Sequence, residues 1–237
     1  MRKNKQKRTK EEFNLELMQK QTNYNNWLYK QIKDDLTGHV LEIGCGIGTM
    51  TNLLLSDRKV TRITGLDIDK SNIELFKKNI TSKKAIIKNI NIENTTKNLG
   101  AYDSAVCINV LEHIKDDDRT IKNINKVLKK NGKLIMILPA IEKAYGTIDK
   151  ADNHYRRYEK NKTRDLLKNS GFEINKLKYM NFPGLIGWIY HGKIKKIDVH
   201  EANDLSLYDK LVPVFEKIEK IITPLIGLSI VVVATKK

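Results

Sequence analysis

Three glycines at alternating positions, Gly44, Gly46 and Gly48, follow a short apolar run, Val40 to Ile43, that carries one acid, Glu42. Glycine lets the chain turn sharply there and brings the backbone close to a ligand, because no Cβ intervenes. A strand, a glycine loop and a helix starting near Met50 make the layout of a nucleotide site at the carboxyl end of a parallel strand. The spacing is G-x-G-x-G, and Thr49 stands where a dinucleotide G-x-G-x-x-G would have its third glycine. Glu42 is ill-suited to pyrophosphate and well suited to accept a hydrogen bond from a cationic amine. Asp67 closes a second apolar run, Val60 to Leu66, 19 residues past Gly48. A carboxylate at that distance can accept from both ribose hydroxyls. Asp69 suits the alternative role of helix N-cap, because Ser71-Asn-Ile-Glu74 has the form of a capping box.

Three later segments add polar chemistry: Asn91-Ile92-Glu93, Asn109-Val-Leu-Glu-His113-Ile, and the run from Ala140 through Tyr145, Asp149 and Asn153 to His154-Tyr-Arg156-Arg157-Tyr158. In this order and spacing the motifs resemble those of the class I S-adenosylmethionine (SAM) methyltransferases over residues 24 to 180. The resemblance implies an α/β fold, a doubly wound, seven-stranded, mostly parallel sheet whose last strand is antiparallel, preceded by N-terminal helices. It implies SAM as cofactor, held by Glu42, Gly44, Gly46, Gly48, Asp67 with Ile68, Asn91 with Ile92, and Asn109. Asn91 stands where the family usually has an acid on the adenine amine. It keeps an acceptor oxygen, and Asn89 is a competing register. His113 would border the methionine end of the cofactor, as a base or as a packing group that orients the cofactor loop.

The segment after Pro139 resembles a subgroup with a P-A-x(3)-L-Y-G-x(2)-D…G-H-x-R-R-Y pattern, with Ala144 in place of the leucine and Asn153 in place of the glycine. The subgroup implies a small-molecule, glycan or lipid-linked acceptor, methylated on oxygen or nitrogen. His154 could deprotonate an acceptor hydroxyl. Arg156 or Arg157 could clamp a phosphate or carboxylate, and Tyr145 and Tyr158 could wall the pocket. Alternatively, Arg157 pairs with Asp149 or Asp152 and pins a lid. Displacement at a sulfonium carbon needs no metal, and His113, His154 and the acids show no ligand spacing along the chain.

Elements must position these groups. The periodicity of Phe13, Leu17, Tyr24, Leu28 and Ile32 predicts one or two amphipathic helices over 11–36. Strands are expected at 40–43, 60–66, 85–88, 104–108, 133–138, 172–180 and 228–234. A helix over 117–130 is framed by acids at its start and Lys129 and Lys130 at its end, with Asn131-Gly132 as the stop. A further helix is expected at 161–170, and residues 181–210 read as irregular. Leu211, Val214, Phe215, Ile218, Ile222 and Leu225 trace an amphipathic helix. Residues 1–10 read as a basic disordered tail, and 11–237 as one domain with lid or acceptor insertions at 140–160 and 181–226.

The chain has 237 residues and a formal charge of +16. Such charge favours anionic partners, although lysine is spread throughout. Two cysteines, Cys45 and Cys107, suggest reduced thiols rather than a disulfide framework. No signal peptide is evident, and no apolar run reaches the roughly 20 residues that span a bilayer. A cytoplasmic protein is expected, with peripheral membrane contact through Phe182–Tyr190 or the helix after Leu211. Two rival functions stand beside methyl transfer to a small acceptor. One is RNA methylation, which the charge favours, and the other is a SAM-binding scaffold without turnover.

Overall fold

The computed structural model describes residues 10–197 and 202–237; the basic run 1–9 lies outside them. Among the described residues the strands are β1 (Gly38–Ile43), β2 (Val60–Asp67), β3 (Ala85–Asn89), β4 (Tyr102–Ile108), β5 (Leu128–Pro139), β6 (Phe172–Met180) and β7 (Ser229–Lys236). They form one seven-stranded sheet in the order β3-β2-β1-β4-β5-β7-β6. β1 through β5 pair in parallel, and β7 runs antiparallel between β5 and β6. The helices are α1 (Lys10–Lys20), α2 (Thr22–Ile32), α3 (Thr49–Leu55), α4 (Lys70–Asn79), α5 (Asp117–Val127), α6 (Thr147–Ala151), α7 (Lys160–Asn169), α8 (Phe182–Ile189) and α9 (Ala202–Ile221).

The sheet buries both faces, as parallel sheets do. β5 shows how a two-residue period serves two cores: Leu134, Met136 and Leu138 pack with Ile121 and Ile124 of α5 and Leu167 of α7, whereas Ile135 and Ile137 pack with Trp27 and Ile32 of α2, Leu54 of α3 and Val212 of α9. Phe76 and Ile80, at the end of α4, make a third cluster against Cys45. Both cysteines are buried and unpaired.

Three local expectations are corrected. The helix expected over 117–130 ends at Val127, and Leu128 already belongs to β5. Leu128 pairs with Tyr102 of β4, and Lys129 reaches Asp103 at 2.7 Å, so strand pairing outweighs the stop signal. Asn131, with φ +63°, lies inside β5, where the pairing with β4 shifts register between Leu128 and Lys133, instead of ending the helix. α4, by contrast, is capped as expected by Asp69, whose side chain accepts from the backbone N–H groups of Ser71 and Asn72. Residues 181–210 are largely helical. Asn181, left-handed at φ +65°, caps α8 by accepting from the Gly184 N–H at 2.9 Å, and a π-helical turn continues α8 through Ile194.

The helix after Leu211 begins earlier, at Ala202, and ends at Ile221, before Ile222 and Leu225; of the expected stripe Phe215 packs against the core, and the rest faces outward. Val212 is buried, Asp209 and Glu216 sit on the inner side, and Leu211, Val214, Ile218, Ile222 and Leu225 are exposed. The reason is α2. Asp209 accepts from the N–H groups of Asn23 and Tyr24 at 3.3 and 2.9 Å, satisfying donors that the first turn of α2 leaves open. Glu216 meets Lys30 at 2.8 Å.

Candidate active site

The carboxyl ends of β1, β2 and β4 meet at the glycine loop. Gly44, Gly46 and Gly48 all have positive φ, at +65°, +52° and +91°. Their surroundings differ. A Cβ on Gly44 would collide with Val110 in the loop after β4, and one on Gly48 would lie 2.7 Å from Ile80. These two glycines permit close packing, while Gly46 faces Leu15 of α1 with room for a Cβ, 3.6 Å from the nearest leucine carbon. Gly46 N–H donates to Asp67 Oδ2 at 2.8 Å. Asp67 Oδ1 accepts from Asp69 N–H at 2.9 Å and from Asn72 at 3.4 Å.

Beneath the loop, Glu42 is buried and accepts from Thr51 Oγ1 at 2.5 Å. Burial pushes its carboxyl up to about 8, against the Thr51 bond, with the Asp67 charge adding to the rise. Past β2, Ile68 is 68% exposed, although it is apolar and flanks a polar site. Asn89 holds that corner by donating to the carbonyls of Asp67 and Ile68, both at 3.0 Å. Asn91 Oδ1 accepts from Glu93 N–H at 2.9 Å in a turn, and Ile92 is buried in the core. Asn109 is left-handed at φ +50°, and its N–H donates to Ile137.

A second cluster lies next to Val110, on the one-turn 3-10 helix Leu111–His113 and the loop after α6. Asp149 and Arg157, 0% and 3% exposed, are its anchor. Arg157 Nε donates to Asp149 Oδ1 at 2.8 Å and Nη1 to the Ala140 carbonyl at 2.9 Å, with the guanidinium 4.5 Å from the Trp188 ring centre. Of the two roles open to Arg157, the geometry has the pairing with Asp149. His154 Nδ1 also meets Asp149 Oδ1, at 2.9 Å, and Trp188 Nε1 and the Gly146 N–H donate to Oδ2. Burial acts to raise the Asp149 pKa, but the His154 hydrogen bond and the Arg157 charge outweigh it and hold it below the usual carboxylate value. Tyr145 Oη donates to the His154 carbonyl at 2.7 Å. Arg156 lies against Asp117 at 2.8 Å and donates to the Lys115 carbonyl, and Tyr158 Oη donates to Asp117 at 3.2 Å. The side chains expected to grip an acceptor are thus bound to the protein itself.

His113 and His154 stack edge to face, ring centres 4.6 Å apart. Burial and the neighbouring His154 lower the His113 pKa to about 4, so the ring is neutral at pH 7. The tertiary fold adds Glu112 to the pair: single ligand atoms of Glu112, His113 and His154 lie within 4.8 Å of one another. Chain spacing did not suggest this set, because the third member comes from the lid. Sequence reasoning also missed Thr51, Asn72 and Leu15 as site groups, whereas Trp188 lay in the aromatic loop expected to cover the acceptor. Glu112 stood in a quoted motif without a role, and the others carried no signal of their own.

Comparison with known proteins bears on this arrangement. A family described as "Methyltransferase domain" matches residues 15–177. The chain belongs to that family. Among curated proteins this methyltransferase domain is 35% identical over 101 residues to a ubiquinone biosynthesis O-methyltransferase of Coxiella burnetii, covering 40% of the chain and 41% of the relative. It is 29% identical over 160 residues to the protein of the same name from Rickettsia typhi, covering 60% and 63%. The matched region therefore spans about two fifths of the Coxiella relative's length. Solved structures share the fold. The N-methyltransferase NodS of Bradyrhizobium japonicum, in complex with S-adenosylhomocysteine (SAH), has a TM-score of 0.58 at 13% identity, covering 91% of this chain and 86% of its own. The magnesium protoporphyrin IX methyltransferase ChlM of Synechocystis, with bound SAM, has a TM-score of 0.54 at 14% identity, covering 93% and 81%.

Proposed function

We propose that the protein transfers a methyl group from SAM to an oxygen of a small-molecule, glycan or lipid-linked acceptor. The observation that carries the reading is the Gly46 to Asp67 hydrogen bond, which fuses the glycine loop and the β2 acid into one polar cradle. The residues fit the cofactor. In this reading Asp67 accepts from the ribose hydroxyls, Glu42 serves the cationic amine, and the exposed Ile68 lies along an adenine face. Asn91 and the Ile92 backbone would close the base end, and Asn109 the methionine end. SAM supplies an activated methyl on a sulfonium. What remains for the chain is to align donor and acceptor and to exclude water.

The lid of residues 140–160 and the cover of residues 181–226 are read as the acceptor side. Asp149 holds Nδ1 of His154, which leaves Nε2 as the ring atom that can serve an acceptor, directly or through a bound ion. His113, neutral at pH 7, packs beside it. Asp149, Arg157, Arg156, Tyr145 and Tyr158 act as positioning residues in this scheme, since their polar groups already bind the protein. The relatives' name supports an oxygen acceptor.

A peripheral membrane position is part of the reading. The exposed residues Leu211, Val214 and Ile218 of α9, with Ile222 and Leu225 just beyond its end, have Lys210, Lys217 and Lys220 beside them on α9. An apolar stripe edged by lysine suits an anionic lipid surface, and a net charge of +16 works against a second copy as its occupant. Among the described residues, no helix is long and apolar enough to cross a membrane.

The experiment is incorporation of label from methyl-labelled SAM into a fractionated extract of the source cells. Label in lipid, glycan or small molecules supports the reading. Label confined to RNA overturns the acceptor and makes the positive charge the better guide. Tight SAM binding with no labelled fraction favours a non-catalytic scaffold.

A further inference from the structure

We propose that Glu112, His113 and His154 form a binding site for a divalent first-row transition-metal ion. Three observations converge on it. First, one ligand atom from each residue lies within 4.8 Å of the others, so small side-chain rotations bring them to the roughly 3.4 Å separations that metal–nitrogen bonds of about 2.1 Å require. Second, Glu112 is 1% exposed, and its Oε2 has no hydrogen-bond partner among the described residues. An unpaired carboxylate oxygen at that depth is costly, and a cation supplies the missing partner.

Third, the outer contacts are those that ligating imidazoles use. His154 is fixed through Nδ1 to the Asp149 carboxylate, itself held by Arg157, Trp188 and Gly146. His113 packs edge to face against the His154 ring, centres 4.6 Å apart, which sets the orientation of both imidazoles. A carboxylate or carbonyl on one ring nitrogen orients the other toward a metal. Two imidazoles and one carboxylate favour zinc, iron, cobalt or manganese over the hard ions magnesium and calcium, which prefer all-oxygen sites.

Three protein ligands leave a position open, as catalytic metal sites do. The 3-10 helix bearing Glu112 and His113 follows directly on Val110, which packs against Gly44 of the cofactor loop. The ion's role rests on the methyl-transfer reading. An acceptor hydroxyl bound at the open position would release its proton to solvent more readily. Its oxygen would then form the new bond to the methyl carbon while the carbon–sulfur bond breaks, with its electrons staying on sulfur.

The test titrates Zn2+ and Co2+ into the full-length, chelator-treated protein. It follows heat, Co2+ visible absorption and the imidazole NMR signals of the five histidines. The expected result is one equivalent bound, with perturbation of the two imidazoles assigned to His113 and His154. Glu112→Gln and, separately, His154→Asn should lose that binding while SAH affinity stays at the wild-type level. Absence of stoichiometric binding, a cobalt–thiolate band, or binding unchanged in both variants overturns the site. SAH binding is measured on the metal-free protein in the same series. If wild-type protein binds SAH but no metal, this inference fails alone; if it binds no SAH, the methyl-transfer reading fails.

Discussion

The backbone N–H of Gly46 donates to the Asp67 carboxylate at 2.8 Å, so the loop after β1 and the end of β2 form one unit. Gly46 sits at φ +52° beneath Leu15 of α1. A β-branched side chain rarely adopts that backbone conformation. Gly46→Val should therefore abolish SAH binding in titration calorimetry while a cooperative thermal melt is retained. Unchanged affinity would remove the glycine loop from the cofactor site.

Asp67→Ala should weaken SAH binding by about 1–3 kcal/mol, the scale of hydrogen bonds to a charged group. The variant also leaves the Gly46 N–H without its acceptor, so protection of that amide from hydrogen exchange should drop. Wild-type affinity in the variant would assign Asp67 to the loop alone.

Glu42 should impose a pH dependence on stability. Its folded pKa is raised by burial from 4.5 to about 8, so the folded state binds the proton more tightly than the unfolded chain. The contribution is full below the unfolded value and is lost as pH rises toward the folded one, at about 1.4 kcal/mol per pH unit within that window. Glu42→Gln keeps an acceptor for Thr51 and cannot ionise. Denaturant midpoints of wild type minus variant should fall between pH 5 and pH 8. Parallel profiles would mean that Glu42 is solvated.

The Asp149–Arg157 pair should couple strongly. Removing one member of a buried ion pair costs about 3–5 kcal/mol, because the other charge is left uncompensated. Arg157→Met and Asp149→Asn should each destabilise on that scale, and the double variant by clearly less than their sum. Additive losses in a denaturation cycle would show that the two charges are screened from one another.

The outward stripe of α9 predicts lipid binding. Leu211→Glu with Ile218→Glu should reduce sedimentation with phosphatidylglycerol vesicles and leave SAH affinity alone. Added salt should weaken the wild-type interaction, as screening of lysine–headgroup attraction requires. Vesicle binding that ignores both substitutions would rule out this face.

Much of this architecture was legible in the residues. Short apolar runs marked β1 and β2, and a mixed run marked β6, within a few residues, because strands buried on both faces read as continuous apolar runs and that pattern is local. The glycine loop and Asp67 were legible for a similar reason: one turn and one strand end fix their relative positions. The start of β5 was not, since Leu128 is claimed by Tyr102 of the neighbouring strand, a partner distant in the chain. In α9 the apolar period was visible, but the side to be covered was not. Asp209 and Glu216 on the inner face decide it through α2. The sequence by itself determined the family, the doubly wound order of strands and helices, and the glycine loop with Asp67 beyond it. Only the tertiary structure decided that Arg157 serves Asp149 and that Glu112, His113 and His154 converge. Those groups come from elements on different parts of the sheet's edge, and local propensity carries no information about which side chains meet there.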